Sequence, residues 1–164
     1  LSTGEILRNE IKNRTDLGKE IASIINSGSL VSDDIVKKLV ENFISDKKYK
    51  DRLIFDGYPR NLTQAKTLDE LLTQYNQKIN LVLKLSVSLD TIKKRISERR
   101  SLENRADDIE ETAIKRYQTY EKSTEPVIEY YKKLNLLKVI EGEREIDQIN
   151  KEISDIISLI LSWL

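Results

Sequence analysis

The stretch "RLIFDGYPRNLTQ", residues 52–64, decides how this chain is read. An apolar run through Leu53, Ile54 and Phe55, closed by Gly57 and Pro59, predicts a short strand over 52–57. That strand delivers Asp56 to its carboxyl end. Gly57 lets the backbone turn closely, Pro59 stiffens the turn, and Arg60 emerges beside it. Asn61 then opens a helix, with Gln64 placed as in a capping box. An acid at a strand end can hold a water of hydrated Mg²⁺, and an arginine next to it can grip phosphate oxygens with two parallel hydrogen bonds. An ordinary strand-exit turn with a surface arginine has the same pattern.

Working outward, "NLVLKLSV" (80–87) predicts a second strand, with Ser88 capping the helix that follows, and "LLKVIEG" (136–142) a third. Before residue 52 helical signals dominate. Thr3 precedes "GEILRNEIKN", Thr15 and Asp16 precede "LGKEIASIINS", and Ser32 caps "DDIVKKLVENFISD", with Gly28 and Ser29 as punctuation. Asp108 with Glu111 predicts the cap of a long helix that Pro126 kinks or divides. A terminal helix carries the stripe Ile149, Ile153, Ile156, Ile157, Ile160 and Leu164, whose spacing predicts core packing. Strands alternating with helices mean an α/β domain with a parallel sheet, and ligands bind at the carboxyl ends of such strands.

Composition narrows the chemistry. The 164 residues suit one domain, and 28 basic side chains balance 28 acidic ones, so no charge excess points to nucleic acid as a partner. Cys, Met and His are absent. Disulfides, thiolate nucleophiles, imidazole bases and His- or Cys-ligated metals are therefore excluded. The apolar tail "IISLILSWL" is too short to span a bilayer and no targeting segment is visible, so a cytoplasmic protein without membrane contact is the expectation.

A cationic cluster is the second chemical signal. Arg95 and Arg99 share a helix face at i, i+4, with Arg105 and Arg116 following. Four guanidinium groups around a short loop suit a polyphosphate; a solvated charged face, with Glu98 and Glu103 adjoining, looks the same. Asp107 and Asp108 read as N-caps, with Glu110 and Glu111 complementing the helix dipole. Tyr117, Tyr120, Tyr130 and Tyr131 read as packing.

Taken in order, "LSTGEILR", "GSLVSDDIV", "FDGYPRNLTQA" and "RADDIEETAIKRYQTYEKSTEPVIEYY" resemble the adenylate kinase family over most of the chain. The resemblance implies reversible transfer of the terminal phosphoryl group of ATP to AMP, giving two ADP with Mg²⁺. It also implies a monomer with a three-layer parallel-sheet P-loop kinase fold and helices on both faces. One domain, 1–164, would carry an AMP-binding cover at 2–31 and a short lid at 100–106. Thr3 and Arg8 match AMP contacts. Gly28, Ser29, Leu30 and Val31 match the segment over the adenine, Gly57 and Arg60 the AMP phosphate site, and Gln64 the residue reading the base. Asp56 matches the carboxylate that orders magnesium waters. Arg95, Arg99, Arg105 and Arg116 match the arginines around the phosphates and ATP, with Arg60, Arg95, Arg105 and Arg116 in the catalytic set and Arg105 and Arg116 also reaching AMP. Gly142 matches a backbone contact to the ATP adenine. Tyr58 stands where Phe is usual in the family.

One departure is at the front. The sequence contains no G-x-x-x-x-G-K, the loop whose amides and lysine hold ATP phosphates. The expectation is that a strand, P-loop and helix are missing before Leu1, exposing apolar faces of the neighbouring strands. A non-catalytic member that keeps the AMP site, and a kinase for another nucleoside monophosphate, are the alternatives.

Overall fold

The computed structural model describes residues 1–103 and 107–162. Helices α1 (Thr3–Lys12), α2 (Asp16–Asn26), α3 (Asp33–Ser45) and α4 (Leu62–Gln74) form where apolar residues recur every three or four positions. Their inward faces meet in one core containing Leu7, Ile21, Ile25, Val36, Val40, Ile44, Leu68, Leu71 and Leu72, joined by Val31 and Tyr58. Ile21, Val40 and Leu68 are fully buried. Each such aliphatic side chain contributes about 1.5–3 kcal/mol relative to an exposed one. Thr15 caps α2 by accepting from Gly18 N at 2.9 Å, and Asn61 caps α4 by accepting from Gln64 N at 2.8 Å. Ser32 occupies the cap position of α3 without a side-chain hydrogen bond to it.

Strands β1 (Val82–Ser86) and β2 (Leu137–Glu141) pair in parallel, Val82 opposite Leu137 through Ser86 opposite Glu141. Between them run α5 (Leu89–Glu103), α6 (Glu110–Thr119) and α7 (Glu125–Lys133), the last two joined by a wide π turn at Tyr120–Thr124. Pro126 lies in the first turn of α7, so the expected division falls just before the residue that has no N–H to give the helix. Ala65, Val127 and Tyr131 make a second, smaller core that ties α4 and α7 to the sheet. Helix α8 (Ile146–Leu161) packs on β2.

The parallel α/β class is therefore as expected, with three corrections. Residues 52–57 form no strand. The segment runs beside residues 1–3, with Leu1 N donating to Ile54 O (2.6 Å), Asp56 N to Leu1 O (2.9 Å) and Thr3 N to Asp56 O (3.4 Å), but only Ser2 and Asp56 pair as in a sheet. A strand is defined by a ladder, and α1 begins before a second pair can form. The α8 stripe is buried at Ile149 alone, while Ile153, Ile156, Ile157 and Ile160 are half-buried; Leu164 lies outside the described residues. The cap position of α6 is Ile109, not Asp108, and no side chain hydrogen-bonds there.

Candidate active site

A cleft of about 290 Å³ opens where α1, the 28–31 segment, the 56–60 turn and the start of α4 converge with Arg99 of α5 and Arg116 of α6. Helix α1 supplies Thr3 and Arg8, and its register is set by the 56–57 backbone: Thr3 Oγ1 donates to Gly57 O at 3.2 Å. Gly57 has φ +67°, a left-handed conformation that glycine alone adopts without steric cost. A Cβ there would also lie 2.9 Å from Arg60 Nη2. Arg60 folds back over the turn, donating from Nε to Gly57 O at 2.7 Å, and so presents its outer nitrogens to the cleft. On the facing wall Gly28, φ +73°, brings the backbone against Thr112 and Arg116 of α6, and Thr112 Oγ1 donates to Asn26 O at 3.3 Å.

The floor is polar and ordered. Gln64 is 3 % exposed; its Oε1 accepts from Arg60 N and its Nε2 donates to Asp33 Oδ1, both at 2.8 Å. The capping-box partner of Gln64 is thus the amide of Arg60 instead of that of Asn61. Asn61 Nδ2 donates to the same Asp33 oxygen at 2.8 Å. Burial, reinforced by the Asp33 charge, pushes the Tyr58 hydroxyl up to about 12.

Among the described residues, four guanidinium groups line this cleft: Arg8, Arg60, Arg99 and Arg116. Removal of water, with the like charges of Arg116 and Arg8 and against the pull of Asp56, lowers the pKa of Arg60 below the usual arginine value. Arginine keeps its proton regardless. Two aspartates hold part of the cluster in place. Asp108, whose side chain is fully buried, accepts from Arg99 Nε and Nη2 at 2.6 Å each, and Arg116 binds Asp107 and stands 3.7 Å from Asp108. Asp107 and Asp108 are therefore partners of the arginines and not helix caps.

The cleft unites Thr3, Arg8, Ser29, Leu30, Val31, Asp56, Gly57, Arg60, Gln64, Arg99 and Arg116. Arg95 and Gly142 meet elsewhere: Arg95 Nη2 donates to Gly142 O at 2.7 Å beyond the ends of β1 and β2. Gly142 is needed there for approach, because a Cβ would lie 2.7 Å from Val87 Cγ1. Residues 100–103 of the expected 100–106 lid are the end of α5, and Arg105 with the rest of that segment lies outside the described residues. Asp33, Asp107 and Asp108 are the site residues that sequence reasoning missed. Each looked like a helix-start acid, and only a search for arginine or amide partners distant in sequence would have found them.

Among the described residues no group of three or more His, Cys, Asp or Glu side chains is placed to hold a metal ion. Among the described residues, Asp56 is the one carboxylate lining the cleft. A single carboxylate suits magnesium better than a metal caged by protein ligands, because magnesium keeps most of its waters and takes few protein ligands. No described helix is long and apolar enough to cross a membrane.

Comparison with known proteins is consistent across the chain. A family model described as "Adenylate kinase" matches residues 1–136. An adenylate kinase of Pelagibacter ubique is 41% identical over 97% of this chain and 87% of its own length. One from Prochlorococcus marinus (strain MIT 9301) is 44% identical over 93% of this chain and 81% of its own. One from Thermosipho melanesiensis is 35% identical over 96% and 86%.

Proposed function

This chain belongs to the adenylate kinase family of nucleotide phosphotransferases, and from that premise we propose that it transfers the terminal phosphoryl group of ATP to AMP, reversibly, yielding two ADP. The observation that carries this reading is the meeting of a buried amide, Gln64, with four guanidinium groups in one cleft of about 290 Å³. That volume lies near the lower end of the ~300–1,000 Å³ typical of small-molecule sites and suits a mononucleotide.

AMP lies with its base toward Gln64 and the 28–31 backbone and its phosphate toward Arg60, with Thr3 and Arg8 at the α1 side. Arg99 and Arg116 surround the transferred group, and Arg95 with Gly142 serves the ATP side. The reaction needs no protein nucleophile, so a chain without His or Cys is equipped for it. These side chains hold the acceptor oxygen in line with the transferred group and neutralise the charge that spreads over its oxygens. Magnesium, bound with ATP, would add neutralisation of the phosphates, and Asp56 would hold one of its waters. Segment 2–31 closes over AMP, keeping water from competing as acceptor.

A coupled assay with Mg²⁺ and ATP, offering AMP, UMP, CMP and GMP in turn, tests the reading. Turnover with AMP well above the other three is expected. Preference for another monophosphate, or AMP binding without phosphoryl transfer, overturns it.

A further inference from the structure

Gln64 can read a base edge only if its amide is held one way round. A primary amide presents an acceptor on one side and a donor on the other, and a 180° flip exchanges them. In this structure both anchors are one-signed. Arg60 N–H can only donate, and it meets Oε1; the Asp33 carboxylate can only accept, and it meets Nε2. A flip would set an amide nitrogen against the Arg60 N–H and an amide oxygen against the Asp33 carboxylate, losing two hydrogen bonds and creating two repulsions at a position 3 % exposed. Each amide atom retains one unused function: one lone pair on Oε1 and one hydrogen on Nε2. Side by side, in that order, they match an edge with an amino donor next to a ring-nitrogen acceptor, which is adenine. Hypoxanthine and guanine offer the reverse, a carbonyl acceptor next to an N–H donor.

We propose that Asp33 is the positioning residue that locks the Gln64 amide and thereby makes the site prefer a 6-amino over a 6-oxo purine monophosphate. The inference rests on the assignment of Gln64 to the AMP base. Asp33 occupies the first position of α3, and Asn61 at the cap of α4 donates to the same oxygen, so the lock is fastened between the starts of two helices. Its neighbour Asp34 is exposed and serves as the control.

The test is the ratio of dissociation constants for AMP and IMP, measured by titration calorimetry on the protein and on D33A, D33N and D34N. The lock predicts that D33A narrows the preference for AMP by about tenfold or more, because a site that hydrogen-bonds one analogue loses its discrimination when its polar groups are freed to rearrange. The Asn of D33N can present either end of its amide to Gln64, so its ratio falls between those of wild type and D33A. D34N keeps the wild-type ratio. A D33A ratio within twofold of wild type, including equal weakening of both ligands, overturns the inference, and should D33A not fold, an unchanged ratio in D33N does the same. Failure of the unaltered protein to prefer AMP overturns instead the base assignment beneath it.

Discussion

Gly18 sets two well-known tendencies against each other. It sits in the first turn of α2, where its own N–H makes the cap contact to Thr15, and helix propensity alone predicts that Gly18→Ala stabilises by about 1 kcal/mol. The packing predicts the opposite. A Cβ on Gly18 would lie 2.1 Å from Glu10 O, 2.4 Å from Glu10 C and 2.8 Å from Ile11 N. A carbon seldom approaches a carbonyl oxygen within about 3.3 Å, so α1 and α2 must part by roughly 1 Å. The atoms in the way are backbone, and no rotamer change relieves the contact. Overpacking costs about 1–3 kcal/mol, and an unyielding backbone belongs at the upper end. Subtracting the propensity gain leaves a net loss of about 2 kcal/mol, or roughly 4–8 °C in Tm for a domain of this size. Gly4→Ala is the internal comparison, because a Cβ there meets only the guanidinium tip of Arg8 at 3.2 Å, which can swing away. It should hold or raise Tm while weakening AMP binding through the displaced Arg8. Urea and thermal unfolding of both variants decide the matter. A Gly18→Ala protein as stable as wild type would refute the close helix approach on which the α1 side of the cleft depends.

Arg60→Ala should lower kcat/KM for AMP by about 10²–10³, the usual loss when one charge-stabilising donor is removed from a phosphoryl-transfer site; turnover within threefold of wild type would sink its assignment. Arg99→Lys should destabilise by about 1–2 kcal/mol in urea titrations, because an ammonium cannot reproduce the two 2.6 Å bonds that Asp108 accepts from Nε and Nη2; an unchanged midpoint would count against that pair. Tyr58 gives a pH signature. Its folded pKa of about 12 lies above the ordinary tyrosine value of about 10, so the stability it confers is complete below pH 10 and is lost as pH rises through 12. Tyr58→Phe should therefore lose less stability than wild type between pH 9 and 11.5, and parallel losses would show that this hydroxyl does not titrate with unfolding.

Much of this protein is legible in one dimension because its elements are specified locally. Apolar spacing in 3–12, 16–26, 33–45 and 62–74 marks amphipathic helices, and Thr15 and Asn61 cap them with bonds that close within three residues. Strands 82–86 and 137–141 are bounded by their own apolar runs. The order of the four family-like stretches pointed to a nucleotide site before any geometry was known, and Thr3, Gly57, Arg60 and Gln64 do converge on one cleft.

Other features depended on partners far along the chain. Whether 52–57 becomes a strand depends on what lies beside it, and the pairing with residues 1–3 stops at a single bridge. Asp107 and Asp108 have the composition of caps, yet their carboxylates are taken by Arg99 and Arg116. Asp33 looks like a dipole-complementing acid until α3 and α4 are brought together and its oxygen meets Asn61 and Gln64. Local sequence determined which segments are helices and where α2 and α4 start, because those energies are settled within a turn. Tertiary structure decided which charges face one another, because an ion pair or a buried amide acquires its role only from groups that the folded chain brings within 3 Å.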